Sequence, residues 1–366
     1  MRNTSSRMML CLAVLLAVGC KKTVKEPEPA ATFYLPPIGS TAWETTTAES
    51  LGWNTAAIPG LYSFLQSTNT RAFLVLKNGR IVLEQYFGNQ ITGGGAFGAN
   101  SVWYWASAGK TLTASLVGVA LQEGKLQLDR PSSNYLGVGW SSLSPAQEQA
   151  ITVWHHLTMT TGLDDGVPDN NCTDKPCLQF KAAPGTRWAY HNAPYTILDR
   201  VVEGATGQSF SNYFASSIRN KIGMDGSWIK NGDNNVYYST ARSMARFGLL
   251  ILNNGKWENE QVLKDAQYLN AMINTSQNLN RSYGYLWWLN GKSSFMVPGS
   301  QLQFNGSVSP AAPAEMIAAM GKNGQYINIV PSQKLVMIRM GDNPDNSLVP
   351  FTYQNQIWEQ LNKVLR

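Results

Sequence analysis

The chain has 366 residues, of which 43% are hydrophobic and 14% are charged. This length and composition are typical of a globular protein with one large domain or two closely packed domains, and they exclude an intrinsically disordered chain. The formal net charge of +6 is spread along the sequence without a long run of Lys or Arg, so it does not predict nucleic-acid binding.

The N-terminal stretch predicts export and attachment to a membrane. Basic residues precede an apolar run over residues 8–18, which is too short to span a bilayer as a mature helix but has the length of a signal-peptide core. Small residues then lead to Cys20, as in a bacterial lipoprotein cleavage site. We expect a signal peptide over residues 1–19, a lipid on Cys20 and a tether over residues 20–37. The protein would then lie in the bacterial cell envelope, periplasmic or at the outer membrane, and an uncleaved anchor helix is the alternative.

The cysteines agree with export. Cys11 lies within the predicted signal peptide and Cys20 at its end, which leaves Cys172 and Cys177 in a polar loop. We expect these two to form a local disulfide in an oxidising compartment. A zinc site would need more ligands than this loop offers, so we predict neither a metal nor an organic cofactor.

From residue 71 the sequence has the pattern of strands. Residues 72–76 and 81–87 are rich in β-branched and apolar side chains, and Asn78 and Gly79 lie between them. Asn-Gly between two such runs predicts a tight hairpin.

The middle of the chain, residues 108–275, is predicted to be mostly helical with long irregular connections. Apolar residues recur there at helical spacing, in segments that end at Gly or Asn-Gly stops. The predicted helices cover residues 112–122, 151–157, 193–204, 209–222 and 240–252.

Strand patterns return after the helical middle, and an amphipathic segment over residues 350–365 predicts a final helix that packs over the strands. The predicted strands cover residues 283–289, 316–320, 325–330 and 335–340. Because a lone hairpin is marginally stable, the strands at 72–87 need partners, and the C-terminal strands are available. We therefore predict an α+β fold in which both chain ends build one sheet and the helical middle is inserted between them.

Reactive chemistry is predicted at Ser107-Ala108-Gly109-Lys110, at the start of a helical segment. On a helix Lys110 would stand one turn above Ser107 on the same face, with its amine close to the hydroxyl. Ser107 would also meet free backbone N–H groups and the positive end of the helix dipole. A helix cap and a solvated lysine are the structural alternatives, and a second Ser-x-x-Lys stretch over 227–230 shows that the pattern also arises by chance.

Tyr190-His191-Asn192 follows a Pro-Gly turn and opens a predicted helix. Taken singly, Asn192 is explained as a cap and Tyr190 as a half-buried aromatic. Taken with Ser107 and Lys110, they supply a phenol that can move a proton and an amide that can orient the lysine or a substrate carbonyl.

These elements in this order, followed by a glycine-containing strand near the C-terminus, resemble the penicillin-recognising serine hydrolases. Within that group the chain is similar to the class C β-lactamase-related branch, which also includes serine esterases, D-aminopeptidases, DD-peptidases and 6-aminohexanoate-dimer hydrolases. The resemblance covers residues 40–366 and includes the stretch 156–163. It implies a β-lactamase/transpeptidase-like domain over 38–366, with an antiparallel sheet, flanking helices and a helical lobe over about 108–275.

The third family element departs from the pattern, because Ala319-Met320-Gly321 occupies the Lys-Thr-Gly slot. In the family this strand lends a backbone N–H to the oxyanion hole just past the glycine, which maps onto Lys322. That role does not depend on a side chain. The side chains that hold a β-lactam carboxylate are missing, which favours an esterase or amidase over an efficient β-lactamase.

The resemblance implies hydrolysis of a small-molecule or peptide-like ester or amide through an acyl-enzyme on Ser107, with Lys110 or Tyr190 as the base. Trp103, Trp105 and Trp188 would line the acyl pocket or pack in the core. A DD-peptidase, a weak β-lactamase and a non-catalytic cell-wall-binding lipoprotein are the alternatives. A Ser-His-Asp enzyme is disfavoured, because Trp105 stands where its nucleophile elbow needs Gly.

Overall fold

The computed structural model describes residues 1, 32–345 and 347–366. The chain divides into two units, Met1–Thr32 and Phe33–Arg366, and the second contains every helix and strand given below. The predicted signal peptide beyond Met1, the lipidation site at Cys20 and most of the predicted tether lie outside the described residues. In the described part of the chain, no helix has the length and apolar character needed to cross a membrane.

A six-stranded sheet is formed by strands from both halves of the chain, and each neighbouring pair is antiparallel. The strands, in their order across the sheet, are Arg80–Tyr86, Thr70–Lys77, Leu335–Gly341, Gln325–Val330, Ile317–Gly321 and Trp288–Leu289. The N-terminal hairpin thus pairs directly with the last strand, which confirms the predicted sheet and the α+β fold.

The hairpin turn has the backbone conformation that Asn-Gly favours. Asn78 and Gly79 have φ values of 51° and 84°, both in the left-handed region. A Cβ on Gly79 would lie 1.7 Å from the carbonyl oxygen of Tyr34, so no other residue fits there without displacing the N-terminal segment.

Helices cover both faces of the sheet, which explains why the two central strands are buried along their whole length. On one face, the Trp358 indole of helix Phe351–Leu365 donates to Asn328 Oδ1 at 2.8 Å. On the other face, Gly248 of helix Ala241–Leu252 packs against Val336 so closely that a Cβ would lie 2.7 Å from it. Helix Ile58–Ser67, which the sequence analysis did not predict, packs beside the C-terminal helix.

The middle of the chain contains all five predicted helices and three short ones that the sequence analysis did not predict, Ser133–Leu136, Pro145–Ala150 and Ala266–Met272. The α-helices of four or more residues in this region are Lys110–Gln122, Ser133–Leu136, Pro145–Ala150, Val153–Leu157, Asn192–Thr206, Phe210–Phe214, Ala241–Leu252 and Ala266–Met272. A π turn and a 3-10 turn, Ala215–Arg219 and Asn220–Ile222, extend the sixth of these to the end that the sequence predicted.

The same region also holds a three-stranded sheet that the sequence analysis missed. Its strands, in spatial order, are Trp103–Tyr104, Asn234–Ser239 and Ser227–Asn231. Shorter hairpins join Lys256–Trp257 to Glu260–Gln261 and Ser294–Phe295 to Phe304–Asn305.

The strand predicted over 283–289 is wrong for most of its length, since only Trp288–Leu289 joins the sheet. Leu286 has a φ of 62°, which a strand does not tolerate. A Cβ on Gly284 would lie 2.3 Å from the Met272 carbonyl oxygen, so this stretch turns against the neighbouring helix instead.

Candidate active site

Ser107 lies in a 3-10 turn, Ala106–Gly109, that continues directly into helix Lys110–Gln122. Trp105 holds the entry to this turn, because its backbone N–H donates to Tyr237 O at 2.8 Å and its indole donates to Ser239 Oγ at 2.7 Å. Ala106 has a φ of 47°, a left-handed conformation that is costly for alanine. The backbone is therefore strained immediately before the serine, a feature that no sequence pattern revealed.

Lys110 is only 3% exposed, and its amine faces Ser107. The Nζ atom lies 3.0 Å from Ser107 Oγ, to which the protonated amine donates, and it donates to Asn192 Oδ1 at 2.9 Å. None of the salt bridges in the described part of the chain includes Lys110. Burial without a carboxylate partner lowers the pKa of Lys110 to about 7, so a large share of the amine is neutral at neutral pH.

Tyr190 is held beside the serine by aromatic packing. Its ring stacks on Trp288 at 5.9 Å and meets Tyr283 edge-on at 6.3 Å. Burial raises the pKa of Tyr190, while a hydrogen bond with Ser107 acts in the opposite direction. Tyr190 is therefore a protonated phenol at neutral pH, and its hydroxyl is in contact with the serine.

Asn192 is the first residue of helix Asn192–Thr206. Its amide links the lysine to a loop, because Oδ1 accepts from Lys110 and Nδ2 donates to Asn171 Oδ1 at 2.9 Å. No motif marks Asn171, so sequence reasoning missed it. The loop is closed by a disulfide between Cys172 and Cys177, whose Cα atoms are 5.9 Å apart.

Gly321, the last residue of strand Ile317–Gly321, lies against the turn that carries the serine. A Cβ on Gly321 would be 2.6 Å from Trp105 O and 3.0 Å from Ser107 N, so only glycine allows this approach. Lys322 opens the next turn and lines the cavity in front of Ser107. Because the opening N–H groups of a helical turn lack intrahelical partners, those of Ser107 and Lys322 are available to a ligand oxygen.

The cavity in front of Ser107 has a volume of about 590 Å³. Among the residues that the structure describes, its lining contains no carboxylate and no histidine, and amide side chains are unusually frequent in it. The asparagines are Asn170, Asn171, Asn192, Asn231, Asn234, Asn235 and Asn323. Trp103, Trp105 and Trp188 do not line it and lie in the core, which decides between the two interpretations of these residues.

The histidines serve the fold. His155 Nδ1 accepts from Thr152 N at 3.0 Å, and His156 Nδ1 lies 2.7 Å from Pro194 O. Both ring nitrogens of His191 are buried without a hydrogen-bond partner in the described part of the chain. A Ser-His-Asp triad at Ser107 is therefore not formed. Within residues 32–345 and 347–366, no cluster of His, Cys, Asp or Glu is arranged to hold a metal ion.

Comparison with known proteins agrees with the fold. An uncharacterized protein of Alkalihalophilus pseudofirmus is 23% identical over 295 residues, which cover 72% of this chain and 81% of that protein. Esterase EstB of Burkholderia gladioli is 28% identical over 142 residues, which cover 32% of this chain and 36% of the esterase. The match to the esterase thus spans little more than a third of its length.

Solved structures show the same fold. A candidate beta-lactamase of Bacteroides dorei aligns with a TM-score of 0.66 at 20% identity, covering 86% of this chain and 99% of that one. A candidate 6-aminohexanoate-dimer hydrolase of Bacillus anthracis aligns with a TM-score of 0.60 at 20% identity, covering 84% and 83%.

The model of the beta-lactamase family matches residues 48–346 of the chain, a range that contains the serine, lysine, tyrosine and glycine of the candidate site. With a match over most of its length, the chain belongs to the beta-lactamase family of serine hydrolases.

Proposed function

We propose that the chain hydrolyses an ester or amide bond through a covalent acyl-enzyme on Ser107. The observation that carries the proposal is the buried amine of Lys110, which lies 3.0 Å from Ser107 Oγ and has no carboxylate partner among the described residues. A lysine with only a structural role in the core or on a helix surface would need neither a pKa near 7 nor a contact with a serine hydroxyl.

In the first step, Ser107 Oγ forms a bond to the carbonyl carbon and its proton passes to neutral Lys110 Nζ. The pKa near 7 favours Lys110 over Tyr190 as the base, because the buried phenol holds its proton. The N–H groups of Ser107 and Lys322 stabilise the oxyanion, an effect worth about 3 kcal/mol per donor.

Collapse of the tetrahedral intermediate then breaks the bond to the leaving group. Tyr190 donates its proton to the departing oxygen or nitrogen and regains one from Lys110. A water molecule attacks the acyl-enzyme in the same way, and the acid leaves with Ser107 restored.

The third family element favours an esterase or amidase. Ala319 and Met320, which occupy the positions of the carboxylate-binding side chains, are buried in the sheet and supply no charge to the cavity. The names of the relatives include this choice without deciding it, since one is an esterase, one a candidate 6-aminohexanoate-dimer hydrolase and one a candidate beta-lactamase.

A second candidate, DD-peptidase or weak β-lactamase activity, is favoured by one observation. The exposed side chain of Lys322 belongs to the cavity lining and offers an ammonium to a substrate carboxylate. Nitrocefin and a D-Ala-D-Ala peptide, assayed beside p-nitrophenyl acetate, decide between the candidates.

Attachment to the cell envelope through a lipid on Cys20 is also proposed, and it rests on the sequence of the N-terminus. Expression in a bacterium with radiolabelled palmitate tests it, with Cys20→Ala as the matched variant. We expect label on the unaltered chain and none on Cys20→Ala; label on neither would contradict the proposal.

The decisive experiment on the chemistry is labelling of the purified chain with a fluorophosphonate, followed by mass mapping. We expect one adduct on Ser107, absent in Ser107→Ala and strongly slowed in Lys110→Ala. An unlabelled Ser107 in the folded chain would contradict the proposal and make the non-catalytic, wall-binding alternative the better explanation.

A further inference from the structure

We propose that Asn171 is a positioning residue that orients Asn192, so that the lone pair of Lys110 faces Ser107. The inference rests on the proposed function, since it concerns the lysine that takes the serine proton.

The four side chains form a hydrogen-bonded chain with a single direction. Asp169 Oδ1 accepts from the backbone N of Asn171 at 2.9 Å and from its Nδ2 at 3.0 Å. Asn171 Oδ1 accepts from Asn192 Nδ2 at 2.9 Å. Asn192 Oδ1 accepts from Lys110 Nζ at 2.9 Å.

The direction is determined by Asp169, because an ionised carboxylate can only accept. The NH₂ group of Asn171 must therefore face Asp169, which turns its oxygen toward Asn192. That oxygen in turn binds the NH₂ group of Asn192 and leaves the oxygen of Asn192 facing the lysine. Rotation of the Asn192 amide by half a turn would place two acceptors together at Asn171.

This orientation matters for a neutral lysine, which has two N–H donors and one lone pair. An Asn192 oxygen engages one N–H and leaves the lone pair for the hydroxyl proton of Ser107. A reversed Asn192 would donate to that lone pair and compete with the serine. It would also stabilise the neutral amine and lower the pKa of Lys110 further.

The loop that presents Asn171 has anchors that do not involve its side chain. The backbone N–H of Ala193 donates to Asn170 O at 3.0 Å, and Thr173 Oγ1 donates to Asp233 Oδ1 at 3.0 Å. The disulfide of Cys172 closes the loop just beyond. Truncation of the Asn171 side chain therefore removes the group that orients the Asn192 amide, while the other anchors keep the loop in place.

The test is the pH dependence of p-nitrophenyl acetate hydrolysis by the full chain and by Asn171→Ala. We expect kcat to fall about 10- to 100-fold with KM nearly unchanged, as for other residues that orient a reacting group. The acid limb of the profile should also move to lower pH. Unchanged kcat and acid limb, or a change confined to KM, would overturn the inference, the latter because it assigns Asn171 to substrate contact.

Two further variants separate orientation from structure. Asn171→Asp alone would place two carboxylates against each other, so the rescue is the double variant Asp169→Asn/Asn171→Asp, which keeps an acceptor for Asn192. Its kcat should return to within about threefold of the unaltered chain, with the acid limb at or above its original position. Thr173→Val loses a loop anchor that lies outside the hydrogen-bonded chain from Asp169 to Lys110, and it should leave the pH profile of kcat unchanged. If the double variant is as slow as Asn171→Ala at equal thermal midpoints, the inference is wrong. Absence of fluorophosphonate adduct on Ser107 of the unaltered chain would instead reject the proposed function, and this inference with it.

Discussion

Two stretches of the chain have the same Ser-x-x-Lys pattern, and the fold treats them differently. Ser107 and Lys110 lie on a helical turn and the helix it opens, and their reactive atoms are 3.0 Å apart. Ser227 and Lys230 lie on strand Ser227–Asn231. Residues three apart on a strand point to opposite faces, so this second pair cannot meet. The backbone period, and not the motif, decides whether the two groups can react.

Burial adds to the difference. Lys110 is enclosed, which lowers its pKa, while Lys230 is exposed to solvent on the strand. The positive charge of Lys230 acts instead on buried Asp199, whose pKa it lowers against the larger effect of burial. One lysine is therefore prepared to accept a proton, and the other is a surface charge.

The largest expected effect comes from the two serines. Ser107→Ala should lower kcat for p-nitrophenyl acetate by about 10⁴-fold or more, because the covalent route is lost. Ser227→Ala should stay within about twofold of the unaltered chain. Equal losses in the two variants would show that the helical pair is not special.

The second largest difference in kcat is expected between variants of the two lysines. Lys110→Ala is expected to reduce kcat by about 10²- to 10⁴-fold, since it removes the group that takes the serine proton. Lys230→Ala should leave kcat unaltered. A stopped-flow measurement of acylation would locate the loss, and a normal acylation rate in Lys110→Ala would assign the proton to Tyr190 instead.

Substitution of Gly321, which lies close to Ser107, should lower kcat nearly as much. Gly321→Ala places a Cβ 3.0 Å from Ser107 N and 2.6 Å from Trp105 O, which displaces the strand that carries the Lys322 N–H. Loss of one oxyanion donor lowers kcat by about 10²- to 10³-fold. The control is Gly98→Ala, where a Cβ meets no atom within 4 Å. Comparable activity of both alanine variants would remove Lys322 from the oxyanion site.

The pH profile measures the environment of Lys110 directly. The amine must be neutral to act as a base, and its pKa is about 7, so kcat/KM should fall about tenfold per pH unit as the pH drops below 7. An exposed lysine would start this fall at about pH 10, so the fall would extend over the whole range from pH 10 downward. A profile that is flat from pH 5 to 8 would contradict the role of Lys110.

The smallest effect concerns Asp199, the buried carboxyl on which the charge of Lys230 acts. Burial raises its pKa to about 7, so the folded state holds a proton that the unfolded chain releases from about pH 4 upward. Stability should therefore decrease as the pH rises from about 4 to 7. Asp199→Asn keeps the acceptor for Asn235 and should raise the unfolding free energy by about 1–3 kcal/mol at pH 8, but not at pH 4. Urea titrations at both pH values would check this, and an equal gain at both would exclude titration of Asp199 as the cause.

The sequence by itself determined the sheet and the main helices. Asn78-Gly79 marked the hairpin because few residues besides glycine accept its backbone conformation, and the apolar runs 325–330 and 335–340 marked the central strands. It also determined that Ser107 and Lys110 share a helical turn, since that is a matter of local period. The order of motifs then pointed to Tyr190, Asn192 and Gly321 through the family resemblance.

Only the tertiary structure decided what surrounds these residues. Contacts between segments that are far apart in the sequence place Asn171 beside Asn192, hold Ala106 in a left-handed conformation and bury Lys110. The pKa of Lys110 depends on this burial, which a linear pattern does not contain. The strand predicted over 283–289 failed for the same reason, because packing against Met272 overrode a strand-like pattern. Local periodicity selects which groups are neighbours along one element, whereas their reactivity is set by the elements that the fold places around them.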